Sequence, residues 1–354
     1  MPGMTMWSDP ATPVDQVELR FGEGQDIKLL KNFSGATRFE DSLFLAADER
    51  CGIDRLSLEG STWADHRCFQ LSSLLHLAHP DDEADLEGLA VDEGWLWIVG
   101  SHARTRPKLG KKNEECIDLD ELSDLNDTRP RCLLARIPLK QQGRQWLPVH
   151  QDGERRSGLV RQTKRGNALS KQLRKDPLLA PFTRIPAKEG GIDVEGIAVR
   201  GSRVALGLRG PVIRTHAVLL EMEIVSKKSG SLELVSPLAK RLLDLEGLGI
   251  RDLKRCGDDL LILAGPTVGL SGPCAIYRWV NWAQDPVQHE RRVRLHRPEH
   301  LIDLPFGRGV DHPEGLALWP RADSEILVVC DSPSDERLDT ARKILQADLF
   351  KLPL

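Results

Sequence analysis

The chain has 354 residues, of which 40% are hydrophobic and 29% charged, and its formal net charge is −4. That length can bury a large core, and the charge balance argues against a nucleic-acid partner, which would want a strong basic excess. No run is apolar enough to span a membrane, no secretory core follows Met1, and seven cysteines without a CxxC pair point to free thiols in the cytoplasm rather than a disulfide framework or zinc site.

The first strand-like run, VELRF at 17–21, has no hairpin partner directly after it. GEG at 22–24 is a turn. The stretch SGATRFEDSLFLAADER at 34–50 holds two apolar runs around a turn. IDRLSL (53–58) and WADHRCFQL (63–71) supply a third and a fourth strand.

The next segments repeat. DLEGLAV (85–91), DVEGIAV (193–199), DLEGLGI (244–250) and HPEGLAL (312–318) each carry Glu-Gly and then a short apolar run. Each leads through a turn to a stronger run: WLWIVG (95–100), VALGL (204–208), LLILAG (260–265) and EILVVC (325–330). Third strands are CLLARIPL (132–139), AVLLEMEI (217–224), CAIYRWV (274–280) and KILQADL (343–349). Fourth-strand candidates are WLPVH (146–150), SLELVSPL (231–238) and VRLHR (293–297).

Radial repetition of four-stranded units is the expectation: an all-β single β-propeller over residues 1–354. A β-sandwich or two separate β-domains is the competing architecture. The last unit ends too near the C-terminus for a fourth strand of its own, so 17–21 would complete it and remove an exposed edge. The gap from Glu87 to Glu195 is roughly twice that from Glu195 to Glu246. It suits either a sixth blade or insertions. Five blades are favoured, with insertions at 104–131 and 151–185, because 166–180 (GNALSKQLRKDPLLA) reads as a helix.

In such a unit the start of the first strand and the end of the second share one face. That face would gather Glu87, His102, Arg104, Glu195, Arg209, Glu246, Thr267, Glu314, Asp331 and Asp48, with Arg38 and His312 joining them. Like charges in a ring need compensation. A hard cation such as Ca²⁺ could sit among Glu87, Glu195, Glu246 and Glu314, or Arg38, Arg104 and Arg209 could pair with the carboxylates. His102, Glu87 and Asp331 are the candidate acid, base or water-activating groups. Arg38, Arg104, Glu195, Arg209, Glu246, Thr267, His312 and Glu314 are the candidate ligand contacts. A purely architectural reading stands beside these. Each Glu would accept backbone N–H groups from the neighbouring unit, and each Gly would permit close approach. No G-x-S-x-G elbow, phosphate loop or H-E-x-x-H is present.

At these motifs the sequence resembles the bacterial DUF3616 family of uncharacterised proteins. The resemblance rests on DLEGLAVDEGWLWIVGSHARTR, IDVEGIAVRGSRVALGLRGPVIR, LEGLGIRDL with LLILAGPT, and DHPEGLAL with CDSP. It extends from about residue 29 to 350 and transfers no catalytic role. The Glu-Gly strand starts also resemble those of esterase-like phytase-family propellers, which implies a calcium-assisted phosphoester or ester hydrolase. Three readings compete: a binding module for a small anionic molecule or metal, that hydrolase, and a structural ring of charges.

Overall fold

The computed structural model describes residues 9–22, 24–47, 51–78, 82–107, 118–126, 129–287, 292–320 and 324–354. Asp48 and Cys116 lie outside them. The fold is all-β and multi-sheet, with antiparallel strands in five successive units.

Unit one runs Phe33–Phe39, Ser42–Ala47, Gly52–Glu59 and Thr62–Gln70. Unit two runs Leu86–Asp92, Trp95–Gly100 and Leu134–Gln142. Its outer edge is shared by Gln145–Pro148 and Gly158–Leu159. Unit three runs Asp193–Arg200, Arg203–Gly210, His216–Ser226 and Ala239–Asp244. Unit four runs Gly249–Cys256, Asp259–Gly265, Cys274–Trp279 and Glu299–Leu304. Unit five runs His312–Leu318, Glu325–Asp331 and Ile344–Lys351. Asp15–Arg20 pairs antiparallel with Ile344–Lys351 along this last edge.

Two outer strands differ from the sequence expectation. In unit three, Leu232–Leu234 pairs with just the far end of His216–Ser226, with a single bridge from Leu232 to Val160, and Ala239–Asp244 takes the long edge. In unit four, Glu299–Leu304 is the fourth strand, whereas Leu295–His296 pairs in parallel with Ala239–Asp244 of unit three. Outer strands bury one face weakly, so their apolar pattern is faint. The segment expected to be helical at 166–180 contains a short helix, Ala168–Leu173.

The first strands of the five units pack in order, one on two, two on three, three on four, four on five, and five back on one. Five apolar clusters fill the spaces between consecutive units. Phe44 and Ile53 of unit one meet Leu89 and Ile98 of unit two. Leu261 and Ile276 of unit four meet Leu316 and Val328 of unit five. Fully burying one such side chain stabilises by roughly 1.5–3 kcal/mol.

Close approach of the first strands explains their glycines. A Cβ on Gly35 would lie 2.7 Å from the Glu87 carbonyl oxygen, and one on Gly88 2.6 Å from that of Glu195. Only glycine lets these backbones meet.

Candidate functional site

Every first strand carries a break in register near its start. The bulged residue is Ser34 in unit one, Glu87 in unit two, Glu195 in unit three, Arg251 in unit four and Glu314 in unit five. A bulge adds one residue and re-aims its side chain. The five side chains therefore form an equivalent set at one end of the ring.

Unit four corrects the sequence alignment. The Glu246-Gly247 pair precedes the strand, Glu246 is exposed with φ 58°, and the equivalent position belongs to Arg251. Arg251 bridges its neighbours on both sides. Its Nε lies 3.0 Å from Glu195 Oε2, and its Nη2 pairs with Glu314. Arg209, at the end of the second strand of unit three, pairs with Asp193 and reaches Glu195 Oε1 at 2.9 Å. Arg131 holds Asp85 at 2.6 Å and Glu83 at 2.8 Å.

Glu87, Glu195, Arg251 and Glu314 of this set line a cavity of about 750 Å³, together with Asp85, Arg131, Asp193, Arg209, Arg104, Arg106, His312 and Asp331. Glu87, Asp193 and Glu195 are all buried, and one oxygen from each lies within 4.8 Å of the others. Burial pushes the Glu195 carboxyl up to about 7, against the pull of Arg209 and Arg251. Burial likewise raises Asp85 to about 6, opposed by Arg131. Burial alone would lower the Arg209 guanidinium, but Asp193, Glu195 and Glu87 outweigh it and raise its pKa. Asp331 is also raised by burial, opposed by its hydrogen bonds from Ser332. His312 pairs with Asp331 across the unit-five hairpin, and among the described residues its buried Nε2 has no hydrogen-bond partner.

The structure thus brings Glu87, Glu195, Arg209, Glu314, Asp331, His312 and Arg104 to one cavity. It does not bring Glu246 or Arg38 there. Arg38 sits at the far end of its strand and donates to the Leu318 carbonyl at 2.7 Å. Thr267 lies between two lining residues, Pro266 and Val268, without lining the cavity itself. His102 also lies outside it. Its Nδ1 is 2.9 Å from the Gly100 carbonyl and its Nε2 is 3.0 Å from Asn167 Nδ2. The ring is therefore neutral with its proton on Nδ1, and burial lowers its pKa to about 4. Sequence reasoning missed Asp193, Asp85, Arg131 and Arg251. Asp85 and Asp193 stand two residues before a motif Glu, and that recurrence was the available signal.

The DUF3616 family model, a protein of unknown function, matches residues 32–348. The chain belongs to that family. No curated protein matches the DUF3616 chain by sequence. Among solved structures, glutaminyl cyclase of Myxococcus xanthus is 12% identical, with 96% of this chain and 99% of that one covered at a TM-score of 0.42. Regucalcin, a calcium-binding protein of Agrobacterium tumefaciens, is 9% identical, with coverages of 96% and 97% and a TM-score of 0.38. An exo-1,5-α-L-arabinanase from a bovine ruminal metagenomic library is 8% identical, with coverages of 92% and 95% and a TM-score of 0.39. Similarity at this level assigns no function to the DUF3616 chain. Among its described residues, no helix is long and apolar enough to cross a membrane.

Proposed function

We propose that the chain is a single five-bladed β-propeller that binds a divalent cation at its channel mouth, and that it works in the cytoplasm. The blade count is supported by five units, five inter-unit cores and the cyclic packing of the first strands. The cation reading rests on Glu87, Asp193 and Glu195, whose oxygens lie within 4.8 Å of one another. Oxygens around one Ca²⁺ ion, each about 2.3–2.6 Å from it, have comparable mutual separations. Burial raises Glu195 to about 7 even with two arginines beside it, so its charge is under-compensated. A hard cation would supply that compensation, because each carboxylate oxygen can accept from an arginine and still ligate.

Titrating calcium into chelator-stripped protein tests this by calorimetry. One ion per chain with a dissociation constant below about 1 mM is expected. Absence of saturable heat together with an unchanged melting temperature in excess calcium would overturn it.

Calcium-assisted hydrolysis of an ester or phosphoester is the second reading. The cavity of about 750 Å³ beside the carboxylates favours it, with His312 and Asp331 on its wall. The cation would polarise the substrate, and His312 or Asp331 would move the proton. Calcium-dependent turnover of p-nitrophenyl phosphate or acetate, lost in His312→Gln, is the expected signature. Equal turnover in that variant sinks the His312 assignment.

A further inference from the structure

A second cavity, of about 320 Å³, opens beside the first. Arg104, Arg129, Lys164, Arg165 and Arg174 line it, and among the described residues no carboxylate does. This concentration runs against a chain whose net charge is −4. We propose that this pocket binds a small organic polyanion carrying two or more separated oxyanion groups. The proposal stands independently of the cation site.

Three observations carry it. The cations come from separate segments. Arg104 lies just beyond the second strand of unit two and is held by Nε donating to the Thr183 carbonyl at 2.8 Å. Lys164 and Arg165 sit on a turn closed by reciprocal backbone hydrogen bonds between Thr163 and Gly166. Arg174 caps the C-terminal end of helix Ala168–Leu173. Positive charge is therefore spread around the rim, which suits separated anionic groups better than one point charge.

The second observation is the lack of counter-charge. Lys164, Arg165 and Arg174 make no ion pair among the described residues, in contrast to Arg131, Arg209 and Arg251 of the first cavity. Gathering like charges costs Coulomb energy that an anion would relieve. Guanidinium forks also match carboxylate and phosphate oxygens in pairs. The third is the remaining wall. Leu173, Phe182, Ile185 and Ile192 offer an apolar face for a carbon skeleton.

Calorimetry on protein stripped of divalent metal over a chelating resin, in chelator-free buffer, tests the pocket, using citrate and fructose 1,6-bisphosphate as probes. Both should bind one per chain, at least about tenfold more tightly than acetate, and weaken as salt is added. Tighter citrate would name carboxylates as the groups read, and tighter bisphosphate would name phosphates. Lys164→Ala, Arg165→Ala and Arg174→Ala should each weaken binding by about threefold to tenfold. These side chains are exposed, so the variants should remain folded. Arg342→Ala, which removes an exposed charge outside both cavities, should leave binding unchanged. Full affinity in the triple Lys164→Ala, Arg165→Ala, Arg174→Ala variant, or acetate binding as tightly as citrate, would overturn the proposal.

Discussion

Within the ring, Lys254 donates to Asp252 at 2.5 Å and to the carbonyls of Leu89 and Leu253, both at 3.1 Å. Asp252 in turn accepts from the backbone N–H groups of Leu253 and Leu316, both at 2.7 Å. This pair ties units two, four and five together and lines neither of the two cavities described above. At the mouth, Glu87, Asp193 and Glu195 are also buried, yet they line a cavity, with Arg209 pairing Asp193 and Glu195 and Arg251 pairing Glu195 and Glu314. Both regions place ionised groups out of water. One closes its contacts on the chain itself, and the other, in the function proposed above, would close them on a cation. Burial raises Asp252 to about 6 and Glu195 to about 7, so what separates the two regions is the cavity that Glu195 lines and Asp252 does not.

The comparison breaks most visibly at Lys254. Lys254→Met leaves Asp252 buried without its cation and should cost about 3–5 kcal/mol of stability in urea unfolding. The double variant with Asp252→Leu should cost less than the sum of the two single changes, because the orphaned charge is gone. A strictly additive result would place the pair outside a coupled network. Glu87→Gln acts on the other region. It should weaken calcium binding by about tenfold or more while shifting stability by less than about 1 kcal/mol. Equal losses in affinity and stability would make the mouth structural too.

His102 gives a pH test of a third buried group. Its folded pKa of about 4 lies below the ordinary histidine value. The unfolded chain therefore binds the extra proton between about pH 6.5 and 4, and stability present above that window is lost as pH falls through it. Wild type should lose on the order of 2 kcal/mol across this range beyond what His102→Gln loses. Parallel pH profiles for the two proteins would show that the imidazole is not held neutral. The smallest effect belongs to Glu246. Glu246→Ala should change stability by less than about 0.5 kcal/mol and leave calcium affinity alone, as its exposed turn requires.

Glu246 also marks where the sequence ceases to be legible. The inner hairpins are legible because their apolar runs, turns and Glu-Gly starts recur together. Glu87, Glu195 and Glu314 can be placed at one end for the same reason. DLEGLGI matches those motifs by letter, but the strand begins at Gly249, so the equivalent residues are Arg251 and Asp252. Letters preserve composition, whereas register follows hydrogen-bond pairing, which a single sequence does not display. Arg38 shows the same loss along the strand axis, since it lies toward the turn end rather than at the mouth. His102 has the residue type and loop position of a proton carrier. Its two hydrogen bonds are made with Gly100 and Asn167, and the second partner is too distant in the chain for local inference.

The substitution of Arg251 for glutamate in one unit of five has a geometric consequence. Five identical groups around an axis would offer an incoming molecule equivalent approaches from every direction. One cation between Glu195 and Glu314, with Ser34 in a further position, removes that equivalence. The mouth is therefore not five-fold equivalent: Arg251 stands between Glu195 and Glu314, while Ser34 and Glu87 hold the other two positions. A fold made by repetition thereby gains a handle that repetition alone could not provide.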